Sequence, residues 1–359
     1  MKKYYLTPGP SEIYFTVPDH LKEALNKNIP SISHRGKTFQ EMCRFTIEQV
    51  RNLLNVPTDF HIVFTGSATE VWERVIQNCV ENHSYHLVNG SFSKRFKEFG
   101  DMLGKKTTVY EVPFGEGFEL DKIQVPQDAE LICITQNETS SGVCVPVEDI
   151  AEIRKRYPHQ LIVVDAVSAV PYPSFNFRHI DSLFFSVQKG MGLPAGLGVW
   201  IFNNRCLEKA ESLKKKGLTI GTYHTIPSLV KNIQKFETPE TPNVLGIYLL
   251  GKVAEDMNRK GIEEIRKETY FKAGITYQFF EESELFEPLV KNKAHRSQTV
   301  LVANVKSGEA SGVLKKWEEK GLIVGKGYGD FKDSQIRVAN FPTFSKEVFY
   351  QLIDTFQKK

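Results

Sequence analysis

Short continuous apolar runs alternate along the chain with longer stretches of helical periodicity. Lys37–Leu54 sets Phe39, Met42, Cys43, Ile47, Val50 and Leu54 near a 3.6-residue spacing, which predicts an amphipathic helix. The pattern then predicts strands over His61–Thr65, 85–88 and 107–112, with helices over 69–81 and 92–103 between them. Leu131–Thr135 reads as a strand, 147–157 as a helix, and Leu161–Asp165, 181–187 and 196–202 as further strands. Many of these runs are apolar throughout and rich in Val and Ile, as in strands covered on both faces. Strand–helix alternation implies a mostly parallel sheet with right-handed crossovers.

Pro239 and Pro242 punctuate the chain ahead of a long helical pattern, Val244–Lys260, and a second one over 263–282. The remainder reads as strand 299–305, helix 309–320, strand Gln335–Ala339 and a terminal helix over 346–358. This tail has the pattern of a smaller α/β domain, with a boundary near residue 250.

Composition narrows the function classes. The net charge is +3, from 46 basic and 43 acidic residues, so no electrostatic footprint for nucleic acid or a membrane surface is expected. No run reaches the ~18 apolar residues of a membrane span, and Met1-Lys2-Lys3-Tyr4-Tyr5 lacks the apolar core of a signal peptide. Five cysteines without a Cys-x-x-Cys pair read as free core thiols in a reducing compartment. The expectation is a cytoplasmic enzyme-sized protein without a metal site.

In an open α/β sheet, ligands bind beyond the carboxyl ends of the strands. Five loops deliver polar or reactive residues there: Thr65-Gly66-Ser67-Ala68-Thr69, Asn89-Gly90-Ser91-Phe92, Gln136-Asn137-Glu138-Thr139, Asp165, and Gln188-Lys189. A strand-end lysine near apolar walls loses solvation, and its neutral amine becomes available for a Schiff base. A strand-end aspartate can keep the ring nitrogen of pyridoxal 5′-phosphate (PLP) protonated, so that the ring acts as an electron sink.

Taken singly, each residue also has a plainer reading. A lone lysine is a solvated surface group, and a lone aspartate is a helix cap or turn former. The 65–69 turn reads first as a helix N-cap at Ser67 or Thr65, and second as a phosphate cradle. Phe92 fits either a core helix position or a ring stacked on a heterocycle. Thr139 fits a turn. Ser33-His34-Arg35-Gly36 is either a solvated basic loop or an anion site. Arg337, inside the apolar Ile336-Arg337-Val338-Ala339, calls for an anionic partner, a structural salt bridge or an edge facing water.

In order and spacing these segments resemble the class V aminotransferases of the fold-type I PLP enzymes, over essentially the whole chain. The carriers are Thr7-Pro8-Gly9-Pro10, Ser33-His34-Arg35-Gly36-Lys37, the 66–69 turn and Asn137-Glu138-Thr139 with Gly142. Asp165 with Ser168, Gln188-Lys189, Thr241-Pro242 and Arg337 complete the set. The resemblance implies an α/β fold: a large domain over 16–250 with a mostly parallel seven-stranded sheet flanked by helices, and a smaller α/β domain from 1–15 and 251–359.

It further implies Lys189 as the Schiff-base lysine and shuttling acid/base, with Asp165 paired to the pyridine nitrogen. Thr139 and Gln188 would sit near the phenolic oxygen, and Phe92 would stack on the ring. The backbone at Ser67, Ala68 and Thr69 would hold the cofactor phosphate. Thr241 would reach the cofactor phosphate of a neighbouring subunit, making a homodimer with shared sites. Arg337 would take the substrate α-carboxylate, and His34 and Arg35 from across the dimer would take a substrate phosphate.

The activity implied is ping-pong transamination between glutamate and a phosphorylated 2-oxo acid, 3-phosphohydroxypyruvate, giving O-phosphoserine. An alanine–, serine– or glyoxylate-type transaminase and a non-catalytic PLP-fold binding protein are the alternatives. A cysteine desulfurase would carry a histidine before the lysine and a late cysteine, whereas Gln188 precedes Lys189 and no cysteine follows Cys206. The chain departs from the family pattern in four places. The phosphate turn has no arginine, Phe92 stands where tryptophan is usual, and Glu240 stands where asparagine is usual, or Glu237 if Thr238-Pro239 rather than Thr241-Pro242 is the matching pair. The second arginine expected ahead of Arg337 is missing, with Lys332 as its nearest substitute.

Overall fold

The computed structural model describes residues 2–357. Strand β1 (Tyr4–Leu6) is followed by helices α1 (Val17–Asn26) and α2 (Lys37–Leu54), then β2 (His61–Thr65), α3 (Ala68–Cys79), β3 (His83–Val88), α4 (Ser91–Met102) and β4 (Lys106–Glu111). Next come β5 (Leu131–Thr135), a small hairpin of β6 (Asn137–Glu138) and β7 (Val143–Cys144), α5 (Val147–Arg156), β8 (Leu161–Asp165), β9 (Ser182–Ser186) and β10 (Gly198–Phe202). Helices α6 (Asn204–Lys215), α7 (Ile226–Ile233), α8 (Val244–Lys260) and α9 (Ile262–Glu282) follow. The chain ends with β11 (Phe286–Pro288), β12 (Val300–Val305), α10 (Ser311–Glu319), β13 (Leu322–Lys326), β14 (Gln335–Ala339) and α11 (Lys346–Asp354). The terminal helix thus stops short of the expected 358, and Lys358 itself lies outside the described residues.

The main sheet has seven strands in the order β2-β10-β9-β8-β5-β3-β4. All pairs are parallel except those of β10, which runs antiparallel to both β2 and β9. This is the mostly parallel architecture expected from the apolar runs. β2, β9, β8 and β5 therefore end along one edge, at Thr65, Ser186, Asp165 and Thr135, while β10 begins there with Gly198. Gly198 is small for a steric reason. A Cβ on it would lie 2.6 Å from the carbonyl carbon of Ser67, so the turn after β2 can settle onto the sheet only over a glycine.

Helices cover both faces. α2 packs along α8, burying Phe39, Cys43, Ile47 and Val50 at helical spacing. α5 places Glu148 and Asp149 in its first turn and Arg154, Lys155 and Arg156 in its last, a charge order that suits the helix dipole. α8 runs whole into the large core through Val253, Ala254 and Met257.

A second sheet, ordered β1-β13-β14-β12-β11, packs its own core of Phe280, Phe286, Trp317, Ile336 and Phe349. The N-terminal β1 pairs with β13 in parallel, Tyr4 opposite Leu322, so the start of the chain belongs to this sheet. From β1 the chain passes directly over the turn after β9, with Ser11 N–H donating to Gln188 O at 3.2 Å and Tyr14 N–H to Gly192 O at 2.6 Å. All five cysteines are free thiols, four of them buried. Among the described residues no helix is long and apolar enough to cross a membrane.

Candidate active site

The carboxyl edge of the main sheet opens into a cavity of ≈ 220 Å³ between the two sheets. Ala68, Thr69, Phe92, Thr139, Asp165, Gln188, Lys189 and Arg337 all line it, joined by Pro8, Gly9, Trp72, Arg95, Ser186 and Tyr328. Ser67 stands just behind as the N-cap of α3, its hydroxyl accepting from Glu70 N–H at 3.2 Å. Thr241, His34 and Arg35 are not part of this cavity. Arg35 instead meets Glu237 at 2.9 Å, and Thr241 is exposed beside a separate cleft near Gly66 and His224. Thr238, the other Thr-Pro threonine, is buried and donates to Glu240 O at 2.8 Å. Lys332 is exposed and lies away from the cavity.

Lys189 follows the end of β9 and is 7 % exposed. Burial pushes its amine down to about 8, against the pull of Asp165 upward, with Arg337 pushing the same way as burial. Its Nζ donates to Thr139 Oγ1 at 3.0 Å and lies 5.4 Å from the Phe92 ring centroid. Room for the side chain comes from Gly9: a Cβ there would lie 2.6 Å from Lys189 Cε. Thr139 is oriented in turn by Ser168, whose Oγ accepts from Thr139 Oγ1 at 2.8 Å and from Asn137 Nδ2 at 2.8 Å.

Asp165 ends β8, buried. Burial raises its carboxyl to about 6, while the Val167 N–H at 2.9 Å, the Trp72 indole N–H at 2.8 Å and the Lys189 charge hold it down. Trp72, one turn into α3, is not singled out by the sequence, which shows only a helix over 69–81. Its apolar spacing was visible, but its donor's target sits on another strand. Arg337 comes from β14 and has no acidic partner within ion-pair distance among the described residues. Its Nε donates to Lys326 O at 2.7 Å and its Nη1 to Thr139 O at 3.2 Å, and its guanidinium lies 5.3 Å from the Tyr328 ring. Burial lowers it to about 10. None of the plainer readings of Arg337 describes it: it is neither in a salt bridge nor on an edge strand. Arg95, exposed at the cavity rim, was also passed over, and it makes no ion pair among the described residues.

The chemistry of this cavity fits PLP. An amine, a carboxylate and an aromatic wall line the same space, and the first turn of α3 presents its positive end at Ala68 and Thr69. Two buried polar atoms on its walls, Thr135 Oγ1 and Gln188 Oε1, have no partner among the described residues. A ligand with hydroxyl, ring N–H and phosphate groups would supply them. A larger cavity of ≈ 380 Å³ lies across Asn137, but its amine, Lys293, and its carboxylate, Glu148, are both exposed. Its cations Arg266, Lys293 and Arg296 are already matched to Glu263 and Glu281.

A two-sheet α/β chain with a buried lysine and aspartate at the carboxyl edge is the arrangement of a PLP-dependent transaminase, and the chain belongs to the class V aminotransferases. The family described as "Aminotransferase class-V" matches residues 3–329, and its cofactor is PLP. Among solved structures, a phosphoserine aminotransferase from Cytophaga hutchinsonii is 50% identical, covers 98% of each chain and superposes with a TM-score of 0.97. A phosphoserine aminotransferase from Rhodococcus opacus is 27% identical over 96% of this chain and 91% of its own. An alanine–glyoxylate aminotransferase from a Nostoc species shares the fold, with a TM-score of 0.84 at 20% identity over 99% and 94% of the two chains.

Proposed function

We propose that this chain is a phosphoserine aminotransferase, exchanging an amino group between glutamate and 3-phosphohydroxypyruvate in serine biosynthesis. The observation that carries the reading is the 50% identity to the Cytophaga enzyme over nearly the full length of both chains. The fold alone would serve an alanine–glyoxylate enzyme equally well.

In this reading PLP supplies an aldehyde for amine condensation and a ring that withdraws electrons. Lys189 would hold the aldehyde carbon at rest, and its freed amine would move a proton to and from the substrate Cα. Its depressed basicity makes the free amine accessible near neutral pH. Asp165 would keep the ring nitrogen protonated, Phe92 would cover one ring face, and Thr139 and Gln188 would face the phenolic oxygen. The backbone of Ser67, Ala68 and Thr69 would take the cofactor phosphate on the positive end of α3. Arg337 takes the α-carboxylate with the N–H groups that Lys326 and Thr139 leave free.

The remaining assignments need a second copy of the chain. Thr241, Arg35 and His34 lie outside the cavity of their own chain, and the first two are exposed, which supports delivery to the site of a homodimeric partner. There Thr241 would meet the cofactor phosphate, and His34 with Arg35 the substrate phosphate. The same proposal divides the chain into a large unit over 16–250 and a small one from 1–15 and 251–359, and places the enzyme in the cytoplasm, where its free thiols would stay reduced.

The test is a panel of amino acids offered to the PLP-loaded protein, scored by 2-oxo acid released in a single turnover. O-phosphoserine and glutamate should react fastest. Alanine or serine reacting as fast as O-phosphoserine would refute the assignment. Lys189→Ala should lose both turnover and the visible band of the lysine-linked cofactor.

A further inference from the structure

Glu138 is fully buried, yet no cation lies within ion-pair distance of it among the described residues. Its partners are all N–H and O–H donors. Oε1 accepts from Phe92 N–H at 3.3 Å, Ser140 N–H at 3.0 Å and Ser140 Oγ at 2.7 Å. Oε2 accepts from Phe92 N–H at 3.1 Å, Ser93 N–H at 2.8 Å and Ser93 Oγ at 2.9 Å. The Phe92 and Ser93 donors belong to the first turn of α4, whose own N-cap is Gly90 and has no side chain to offer. A carboxylate from another strand therefore satisfies that helix start and its positive dipole end. Gly90 is bare because Glu138 is there: a Cβ on it would lie 2.4 Å from Glu138 Cγ.

The neighbours of Glu138 face the reaction. Asn137 donates to Ser168, and Thr139 accepts from Lys189 and from Arg337 through its carbonyl. The helix start that Glu138 holds carries Phe92, which packs 5.1 Å from Tyr328 between ring centroids.

We propose that Glu138 is a positioning residue of the transamination site: it fixes the Phe92 ring over the cofactor and sets a standing negative charge beside Lys189 and Asp165. The inference rests on the assignment of Lys189 and Phe92 to PLP made above. Three groups of the cavity feel Glu138. Its charge draws Lys189 and Arg337 upward and pushes Asp165 upward, against or alongside their burial. Removing that charge therefore moves Lys189 and Asp165 to lower pH.

Glu138→Gln is the test, in the PLP-loaded protein. Its amide nitrogen would confront N–H donors, so roughly tenfold weaker PLP binding is expected for the lost charge-assisted bonds. The induced circular dichroism of the visible band should fall as the ring loses its fixed orientation, and the pH midpoint of that band should move to lower pH. Glu138→Asp, which keeps the charge, should keep the midpoint. Should Glu138→Gln fail to fold, Ser93→Ala removes one donor and leaves the charge; weaker binding and dichroism at an unchanged midpoint are then expected. Wild-type affinity, dichroism and midpoint in Glu138→Gln would overturn the proposal, even with a lowered melting temperature, as would wild-type binding and dichroism in Ser93→Ala. Lys189→Ala in the same titration separates the two readings: if it retains the lysine-linked band, the cofactor assignment itself fails.

Discussion

Replacing Trp72 with phenylalanine removes one hydrogen bond and leaves an aromatic ring in place. The indole N–H donates to Asp165 Oδ2 at 2.8 Å, with both residues buried, so water has little access to take over. A hydrogen bond to a charged group is worth about 1.5–3 kcal/mol. At about 1.4 kcal/mol per pKa unit, its loss raises the Asp165 carboxyl by roughly one to two units from its value of about 6. Near neutral pH the variant then holds a largely protonated carboxyl where the proposed site would set it opposite the ring nitrogen. The electron-sink effect weakens, and the first half-reaction slows by about ten- to a hundredfold. The sign fixes the pH dependence: alkali ionises the carboxyl, so the deficit shrinks as pH rises. Stopped-flow decay of the visible band with O-phosphoserine, across pH 6 to 9, reads this directly. A deficit constant with pH would mean that only packing against Phe96, stacked 5.7 Å away, had been lost, and the reasoning would fall.

Three further variants probe other parts of the site. Arg337→Lys keeps the charge and loses the fork, so kcat/KM for amino acids should drop about tenfold or more, mainly through KM; an unchanged KM would dismiss the carboxylate role. Arg35→Ala should raise KM for O-phosphoserine while leaving that for glutamate within about twofold, and equal effects on both would argue against a phosphate contact. His224 sits between Glu70 and Glu240, which raise it from 6.5 to about 9 despite burial. Its charged form stabilises the fold fully below pH 6.5, and that contribution is lost as pH rises through about 9. Thermal midpoints of the wild type should therefore fall across this window more steeply than those of His224→Gln; parallel curves would exclude the ion cluster as a source of stability.

The central strands β5, β8 and β10 were legible because burial on both faces fills them with apolar residues, and α2 because its apolar positions keep one period over 18 residues. Their ends named the loops that converge on Lys189. Local pattern could not tell that β10 runs antiparallel, since a strand buried on both faces reads alike in either direction. Nor could it find β1, three residues whose partner β13 lies at the far end of the chain. Trp72 and Glu138 escaped for a related reason. Each looks ordinary in its own segment and gains a role only from donors or acceptors brought in by another one. His34, Arg35 and Thr241 lie outside the cavity of their own chain, so a single copy cannot display the assembly that the motif implies.

The leading peptide has an unequal share of responsibility for its length. Residues 4–6 form one border of the small sheet, and three residues later Gly9 leaves the space that the Lys189 side chain occupies. Trimming the first ten residues would strip an edge strand from the small sheet and uncover the Lys189 side chain. Purification tags and fusion partners therefore belong at the opposite terminus.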